Sequence, residues 1–153
     1  MARFDTPQGG AVDLSGNVYV ADTDNNRIRK IAVDNAGVVG AVSTIAGDGT
    51  AGNADTAAAG ADPAVVGTFN LPQGIAVDPS GILYVADTFN NRIRKITSGG
   101  VVSTFAGSGT AGDKNGSGTA VQFDFPSGVA VDSSGNIYVA DTLNDCIRKI
   151  EYK

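Results

Sequence analysis

The stretch Tyr84-Val-Ala-Asp-Thr-Phe-Asn-Asn-Arg-Ile-Arg-Lys-Ile96 occurs three times in the chain. The first copy, Tyr19 to Ile31, differs only at Asp24. The third copy, Tyr138 to Ile150, differs at Leu143, Asp145 and Cys146. A long stretch repeated this closely indicates a repeat architecture, in which each copy is one structural unit.

The repeat extends upstream as Pro-x-Gly-x-Ala-Val-Asp, which begins at Pro7, Pro72 and Pro126. It extends downstream as well, because Val42-Ser-Thr-Ile-Ala-Gly47 matches Val102-Ser-Thr-Phe-Ala-Gly107. The unit is therefore roughly fifty residues long, in the range of propeller blades rather than of helical repeats.

Each unit is predicted to form four short strands. In the second unit these are 74–78, 82–86, 93–96 and 101–106. Asp78-Pro-Ser-Gly81 between the first two has the residues of a type I turn. The second strand is almost continuously apolar, as in strands covered on both faces. Similar four-stranded units stacked face to face favour a β-propeller.

Composition restricts the classes of protein. With 153 residues and 42% apolar residues, one globular domain is expected. The chain has one Glu, no His and a single Cys146, so a disulfide framework, a Ser-His-Asp triad and a multi-Cys metal site are all excluded. Cys146 is expected to pack as a small apolar residue. No window is apolar enough to span a membrane.

The segment Met1-Ala-Arg-Phe4 leads almost directly into the first repeat, so no signal peptide is expected within it, and the chain is either cytosolic or a trimmed product. The compartment is not indicated. Two Gly-rich stretches, 47–67 and 107–118, connect the units and are predicted to be loops. Within the first, Asp62-Pro63 predicts one short helical turn.

The motifs Pro-x-Gly-x-Ala-Val-Asp and Tyr-Val-Ala-Asp-Thr-x-Asn-Asn-Arg-Ile resemble those of the NHL-repeat family. The resemblance covers residues 4–150 and is closest to bacterial members with Ala-Gly-x-Gly-Thr-Ala-Gly between blades. It implies a β-propeller, usually of six blades. It implies no single activity, because the family includes binding modules, receptor ectodomains, which allow a secreted or cell-surface parent, and relatives of six-bladed enzymes.

We therefore expect residues 1–153 to form one all-β unit of three blades, at about 4–47, 69–107 and 123–150. The third lacks its outer strand, and Arg148, Lys149 and Lys153 are expected to protect that edge from further pairing. Because three blades cannot close a ring, two copies are expected to dimerise into six blades. The alternative is that the chain is part of a longer propeller.

Three aspartates, Asp22, Asp87 and Asp141, end the second strands and suggest a calcium site around the axis. The favoured interpretation is structural: each carboxylate accepts backbone hydrogen bonds in a tight turn. Asp22 and Asp87 are also expected to pair with Arg27 and Arg92.

No other motif indicates a cofactor or a nucleic acid. Gly47-Asp-Gly-Thr-Ala-Gly52 and its copy at 107–112 match a dinucleotide fingerprint, but they repeat with the blade and lack the required helix. The Arg-Ile-Arg-Lys strands are predicted to form a solvated rim. A net charge of −5 and sparse aromatic residues disfavour RNA.

The remaining candidate is a surface. In such a propeller the turns after the second strands share a face with the inter-blade loops, and loops on a rigid scaffold carry function. Phe89 and Leu143 at turn tips are either exposed or tucked under the Gly-rich loops. Gln8, Gln73 and Ser127 are expected to line the channel mouth. The predicted binding face comprises Gln8, Asp24, Asn25, Gln73, Phe89, Asn90, Ser127, Leu143 and Asn144.

The sequence thus predicts a non-enzymatic propeller that binds a protein or a small polar ligand, or assembles with itself, without catalytic, cofactor or metal residues. One alternative is a six-bladed hydrolase or lyase with a central divalent metal. Another is an engineered or purely structural half-propeller, which the near-identity of the repeats favours.

Overall fold

The computed structural model describes residues 3–34, 36–37, 39–56 and 67–151. These residues form three antiparallel sheets, each built from consecutive strands in chain order. The predicted helical turn at Asp62-Pro63 lies outside the described residues. No helix in the described part of the chain is long and apolar enough to cross a membrane.

The sheets are three blades. Blade 1 comprises β1 (Pro7–Val12), β2 (Val18–Asp22), β3 (Arg27–Val33) and β4 (Val39–Ala46). Blade 2 comprises β5 (Pro72–Val77), β6 (Leu83–Asp87), β7 (Arg92–Ile96) and β8 (Val102–Ala106). Blade 3 comprises β9 (Pro126–Val131), β10 (Ile137–Asp141) and β11 (Cys146–Ile150). The predicted three-blade architecture is confirmed.

Strand boundaries differ by one or two residues from the prediction. The first strand of blade 2 begins at Pro72 rather than at Gly74. Proline is tolerated as the first residue of a strand, since its missing N–H is not needed by the ladder there. The turn after this strand is as predicted: Gly81 N donates to Asp78 O at 2.9 Å, and Gly81 has φ +81°.

The core consists of two layers, one at each junction between blades. At the first junction, Tyr19, Ala21 and Ile28 pack against Leu83 and Val85. The second junction repeats this arrangement with the side chains Tyr84, Ala86, Ile93, Ile137 and Val139. The near-continuous apolar run of a second strand is thus explained, because its alternate side chains enter two different junctions.

Candidate functional site

Each second strand ends in a single 3-10 turn. The three turns are Thr23–Asn25, Thr88–Asn90 and Thr142–Asn144. A left-handed residue closes each of them: Asn26, Asn91 and Asp145, with φ values of 50°, 50° and 53°. Asn and Asp tolerate this conformation better than other side chains with a Cβ, which accounts for the Asn-Asn or Asn-Asp pair in every repeat.

The aspartate before the turn is the polar centre of each blade. Asp87 is fully buried and accepts hydrogen bonds from Asn70 N at 2.8 Å, Asn90 Nδ2 at 2.8 Å and Arg94 Nη1 at 2.9 Å. Burial raises the pKa of the Asp87 carboxyl, and these hydrogen bonds offset the rise only in part. The carboxylate thus joins the entry segment, the turn and β7, which is a structural role.

The predicted partners of these aspartates were wrong. Asp22 and Asp87 pair with Arg29 and Arg94 rather than with Arg27 and Arg92. Asp87 lies opposite Arg92 in the strand pair, and Arg94 is the diagonal neighbour of Asp87. The long arginine side chain spans this diagonal distance and enters the blade junction. Arg27 and Arg92 donate instead to backbone oxygens of the Gly-rich loops.

The prediction that the Arg-Ile-Arg-Lys strands form a solvated rim is therefore also wrong for blades 1 and 2. Arg94 is fully buried and Arg29 nearly so. Arg148 is half-buried and pairs with Asp141 at 3.1 Å, so it is not a free charge guarding the strand edge. Alternation along the strand does hold: Lys95 lies on the opposite face, away from the ion pair.

The Gly-rich loops act as straps. We call residues 47–56 strap 1 and residues 107–118 strap 2. Each strap follows one blade and docks on the next. In strap 1, Gly52 O accepts a hydrogen bond from Asn90 Nδ2 at 2.7 Å. Two further oxygens of the strap, Ala54 O and Asp55 Oδ1, accept hydrogen bonds from Arg94 Nη2 at 2.8 Å and 2.7 Å. The G-x-G-x-x-G match thus serves blade packing.

Strap 2 repeats these contacts on blade 3. Gly112 O accepts from Asn144 Nδ2 at 2.8 Å, and Asn115 Oδ1 accepts from Arg148 Nη2 at 2.7 Å. The turns and the straps therefore share one face, as predicted. Asn90 and Asn144 are held between an aspartate and a strap, and Asn25 donates to Asp22, so all three have structural roles.

Direct contacts between blades come from residues that the sequence interpretation did not single out. Asn26 Oδ1 accepts from Leu71 N, and Asn91 Oδ1 accepts from Phe125 N, both at 2.8 Å. Leu71 and Phe125 are themselves left-handed, with φ 48° and 58°. The available signal was the position of the asparagine, which is the same in both repeats.

The predicted turn-tip residues are exposed rather than tucked under the straps. Phe89 exposes 48% of its surface and Leu143 exposes 62%. Phe89 makes one edge-to-face contact with Phe125, with ring centroids 4.7 Å apart. Asp24, at the same position in blade 1, accepts a hydrogen bond from Thr6 Oγ1 at 2.6 Å.

The predicted channel-mouth residues lie together. Gln8, Gln73 and Ser127 line one shallow depression of about 370 Å³ along the first strands of the blades. These strands approach closely: a Cβ on Gly9 would lie 2.1 Å from Gln73 O, and one on Gly74 would lie 2.7 Å from Ser127 O. Glycine is required at both positions.

Metal ligands do not cluster within the described residues, where no group of three or more His, Cys, Asp or Glu side chains is placed to hold an ion. Cys146 is exposed, contrary to the expectation that it packs as a core residue. Its counterpart in blade 2, Arg92, is held by strap 2, whereas no described segment lies in the equivalent place beside Cys146.

The NHL repeat model matches residues 4–31, 69–96 and 123–150, which together make up more than half of the chain. The chain belongs to the NHL repeat family. Each match runs from just before the first strand of a blade into its third strand, where it ends at Ile31, Ile96 or Ile150. The Asp–Arg pairs and the asparagine contacts described above lie within these matches.

Among curated relatives, the chain is 39% identical to NHL repeat-containing protein 2 of Gallus gallus over 82 residues, covering 53% of the chain and 11% of that protein. It is 28% identical to NHL repeat-containing protein 2 of Bos taurus over 172 residues, covering 99% of the chain and 23% of that protein. The chain thus spans less than a quarter of these relatives.

Solved structures show the same fold. An auxiliary nutrient binding protein from Bacteroides thetaiotaomicron superposes with a TM-score of 0.78 at 23% identity, covering 94% of the chain and 36% of that protein. Virginiamycin B lyase from Staphylococcus aureus superposes with a TM-score of 0.52 at 15% identity, covering 95% of the chain and 41% of the lyase. These proteins are larger propellers, and the likeness concerns the fold.

No residue that the structure describes covers either end of the array of NHL blades. Ile28, Ile93 and Ile147 occupy one position in the three blades, on the face toward the following blade. Ile28 and Ile93 are fully buried, whereas Ile147 exposes 70% of its surface. On blade 1 the opposite face is open: Val12 exposes 61%, while Val77 at the same position packs in the first junction.

Proposed function

We propose that this chain is a non-catalytic NHL propeller scaffold, which associates head to tail with a second copy and presents a binding face along its turns. The observation that carries the proposal is the 70% exposure of Ile147 where Ile28 and Ile93 are fully buried. Covering a large aliphatic side chain stabilises by about 1.5–3 kcal/mol, so a partner on this face gains substantial free energy.

The second copy fits because both end faces copy surfaces that already pack within the chain. Through β9, β10 and β11, the open face of blade 3 repeats the face that blade 2 buries against it. The open face of blade 1 repeats the one that blade 2 buries against blade 1. Such an interface is heterologous, because the blade 3 face of one copy binds the blade 1 face of the other. Two copies form a closed ring when both interfaces are made at once.

The polar groups at the two end faces can also repeat a hydrogen bond that already joins two blades of the chain. In the second junction Asn91 accepts from the N–H of left-handed Phe125. Asp145 occupies the place of Asn91 on blade 3 and is exposed, and Thr6, left-handed with φ 47°, occupies the place of Phe125 on blade 1. A carboxylate can accept the same hydrogen bond, so Asp145 of one copy would accept from Thr6 of the other.

The proposed binding face is the turn side of the scaffold. Two large apolar side chains, Phe89 and Leu143, are exposed at neighbouring turn tips. Gln8, Gln73 and Ser127 line a polar depression along the inner strands. Apolar anchors beside hydrogen-bonding groups suit a protein segment or a small polar ligand.

Association is tested by two variants with matched chemistry. Ile147→Asp places a charge on the end face and is expected to give a monomer by light scattering. Leu14→Asp changes an exposed leucine in the turn after β1, where the counterparts Pro79 and Ser133 also stay exposed, and is expected to leave the mass unchanged. An unchanged mass for Ile147→Asp, or a monomer for both variants, contradicts the assembly.

The binding face is tested by selecting peptides from a display library on the wild-type chain. Peptides that use the turn tips are expected to lose about tenfold or more in affinity for the double variant Phe89→Ser/Leu143→Ser, which corresponds to about 1.4 kcal/mol. Selected peptides that bind both proteins equally would place the binding function elsewhere.

A further inference from the structure

The outer edge of β11 faces an open groove. β3 and β7, its counterparts, each pair with a fourth strand, β4 or β8. Within the described residues no strand pairs with the outer edge of β11, because the sheet of blade 3 has the strand order β11-β10-β9. Beside this edge lies the largest cavity described here, about 690 Å³. Its walls are β11, residues 115–118 of strap 2 and the side chains Phe105, Val121 and Phe123.

Blade 2 shows what fills the corresponding space. There β8 runs antiparallel to β7, with Thr104 opposite Arg94 and Val102 opposite Ile96. The end of strap 1 holds the other side of β8: Thr56 N donates to Val102 O and Val102 N donates to Thr56 Oγ1, both at 2.9 Å. The fourth strand is thus held between the third strand and the strap.

One side chain of strap 1 makes a hydrogen bond to a side chain of β8. Asp55 Oδ1 accepts from Thr104 Oγ1 at 3.1 Å and from Arg94 Nη2 at 2.7 Å. Val102 and Ala106, at the ends of β8, are both fully buried. The strand is therefore recognised by a β-branched residue at one end, a central threonine and a small residue at the other end.

In blade 3 the same walls are already in place without a strand between them. Arg148 Nη2 donates to Asn115 Oδ1 at 2.7 Å, as Arg94 does to Asp55, and Arg148 Nη1 donates to Gln122 O at 3.2 Å, as Arg94 does to Thr68 O. Strap 2 is held by these contacts, so binding a strand does not require the groove to form first. Preformed sites lose less conformational entropy on binding.

We propose that the groove between β11 and strap 2 is a peptide-binding site, which takes an extended segment of the pattern Val-Ser-Thr-Phe-Ala as a fourth strand antiparallel to β11. Main-chain hydrogen bonds to the strand edge provide affinity, and alternate side chains provide specificity. Val102 packs in the first junction and Ala106 in the second, so in blade 3 the valine enters the junction with blade 2 and the alanine lies on the open end face. The threonine donates to Asn115. This site uses the edge of blade 3 and the proposed association of copies uses its face, and Ile147 lines both.

The direct test is binding of a fluorescent peptide with the sequence of residues 100–108 to the full chain, followed by anisotropy. A peptide of the same composition with its polar and apolar residues exchanged along the strand is the control. Saturable binding, with the control at least about tenfold weaker, is expected. No binding of the first peptide, or equal binding of both, overturns the proposal.

A variant pair tests the strap contact. Asn115→Asp copies Asp55 and is expected to tighten binding of the peptide, because a carboxylate accepts the threonine hydroxyl more strongly than an amide oxygen does. Asn53→Asp makes the same change in strap 1, on the other junction, and is expected to leave peptide affinity unchanged. Equal effects of the two variants would mean that charge alone, and not the groove, is responsible.

The direction of the strand is tested with the single thiol of the chain. In blade 2, Gly107 lies against Arg92 Cα, and the next residue, Ser108, accepts a hydrogen bond from Arg92 Nη2 through its backbone oxygen at 3.4 Å. Cys146 occupies the place of Arg92. A peptide with cysteine in place of Ser108 is therefore expected to form a disulfide with Cys146 under a thiol redox buffer. A peptide with cysteine at its other end is expected not to, and equal yields would refute the antiparallel placement.

Discussion

The Asp87 carboxylate and the Arg94 guanidinium lie 2.9 Å apart, and both side chains are fully buried in the second blade. Arg94 also donates to Thr68 O, Ala54 O and Asp55 Oδ1, so one side chain joins the blade, the entry segment and strap 1. The same pair recurs as Asp22–Arg29 and Asp141–Arg148. The repeated Asp and Arg of the motif are thus explained by packing between blades.

Removing Arg94 is expected to destabilise strongly. Arg94→Ala leaves Asp87 as an uncompensated buried charge, which costs about 3–5 kcal/mol. Arg29→Ala is the matched control and should cost less, because Arg29 is more exposed than Arg94 and no strap covers it in the described residues. Urea unfolding followed by circular dichroism measures both. Equal losses would show that the strap contacts add nothing to the ion pair.

The inner strands should not tolerate a side chain where they touch. Gly9→Ala places a Cβ 2.1 Å from Gln73 O and is expected to destabilise by about 1–3 kcal/mol through overpacking. Gly10→Ala, whose Cβ would meet Tyr19 O at 3.8 Å, is expected to be nearly neutral. Thermal melting of the two variants decides between tight contact at Gly9 and a loosely packed channel wall.

Acid should weaken the turn after β1. Burial acts to raise the pKa of Asp13, but hydrogen bonds from Asn17, Tyr19 and Ser15 outweigh it and lower the pKa below the ordinary 3.8. A lowered pKa contributes stability that is present above about pH 4 and is lost as the pH falls through the folded-state value.

Asp13→Asn is therefore expected to flatten the fall in stability between about pH 5 and pH 2, while lowering stability at pH 7. Chemical denaturation at several pH values measures the slope. Parallel slopes for wild type and variant would show that Asp13 does not titrate differently in the folded and unfolded chains.

Calcium should leave the melting temperature unchanged. The carboxylates of Asp22, Asp87 and Asp141 are each engaged by an arginine and an asparagine of their own blade. An ion at the axis would have to displace these donors. A calcium-dependent rise in melting temperature, abolished by a chelator, would instead favour the divalent-metal hydrolase or lyase.

Much of the fold could be predicted from the sequence, because the repeated stretch carries its own turn chemistry. Asp78-Pro-Ser-Gly81 determined a turn that the structure contains, and the three-blade count followed from the copies. The Asp–Arg pairing could not be predicted correctly. Arg92 and Arg94 lie on the same face of β7, so alternation does not distinguish them, and Arg92 is held instead by Ser108 O of strap 2.

The candidate site was predictable only in part. The shared location of Gln8, Gln73 and Ser127 follows from their equal positions in the repeats. The exposure of Phe89 and Leu143 depends on how far each strap reaches, which composition does not determine. Asn90 and Asn144 resembled binding residues because they sit at turn tips, yet each is held by an aspartate and a strap.

The central claim is that the two end faces of the blade array cover each other in a second copy. Light scattering across a dilution series measures it most directly. We expect a stable molar mass of twice the 15.4 kDa chain, which falls to the monomer value for Ile147→Asp. A wild-type chain that remains at 15.4 kDa at all concentrations would contradict it.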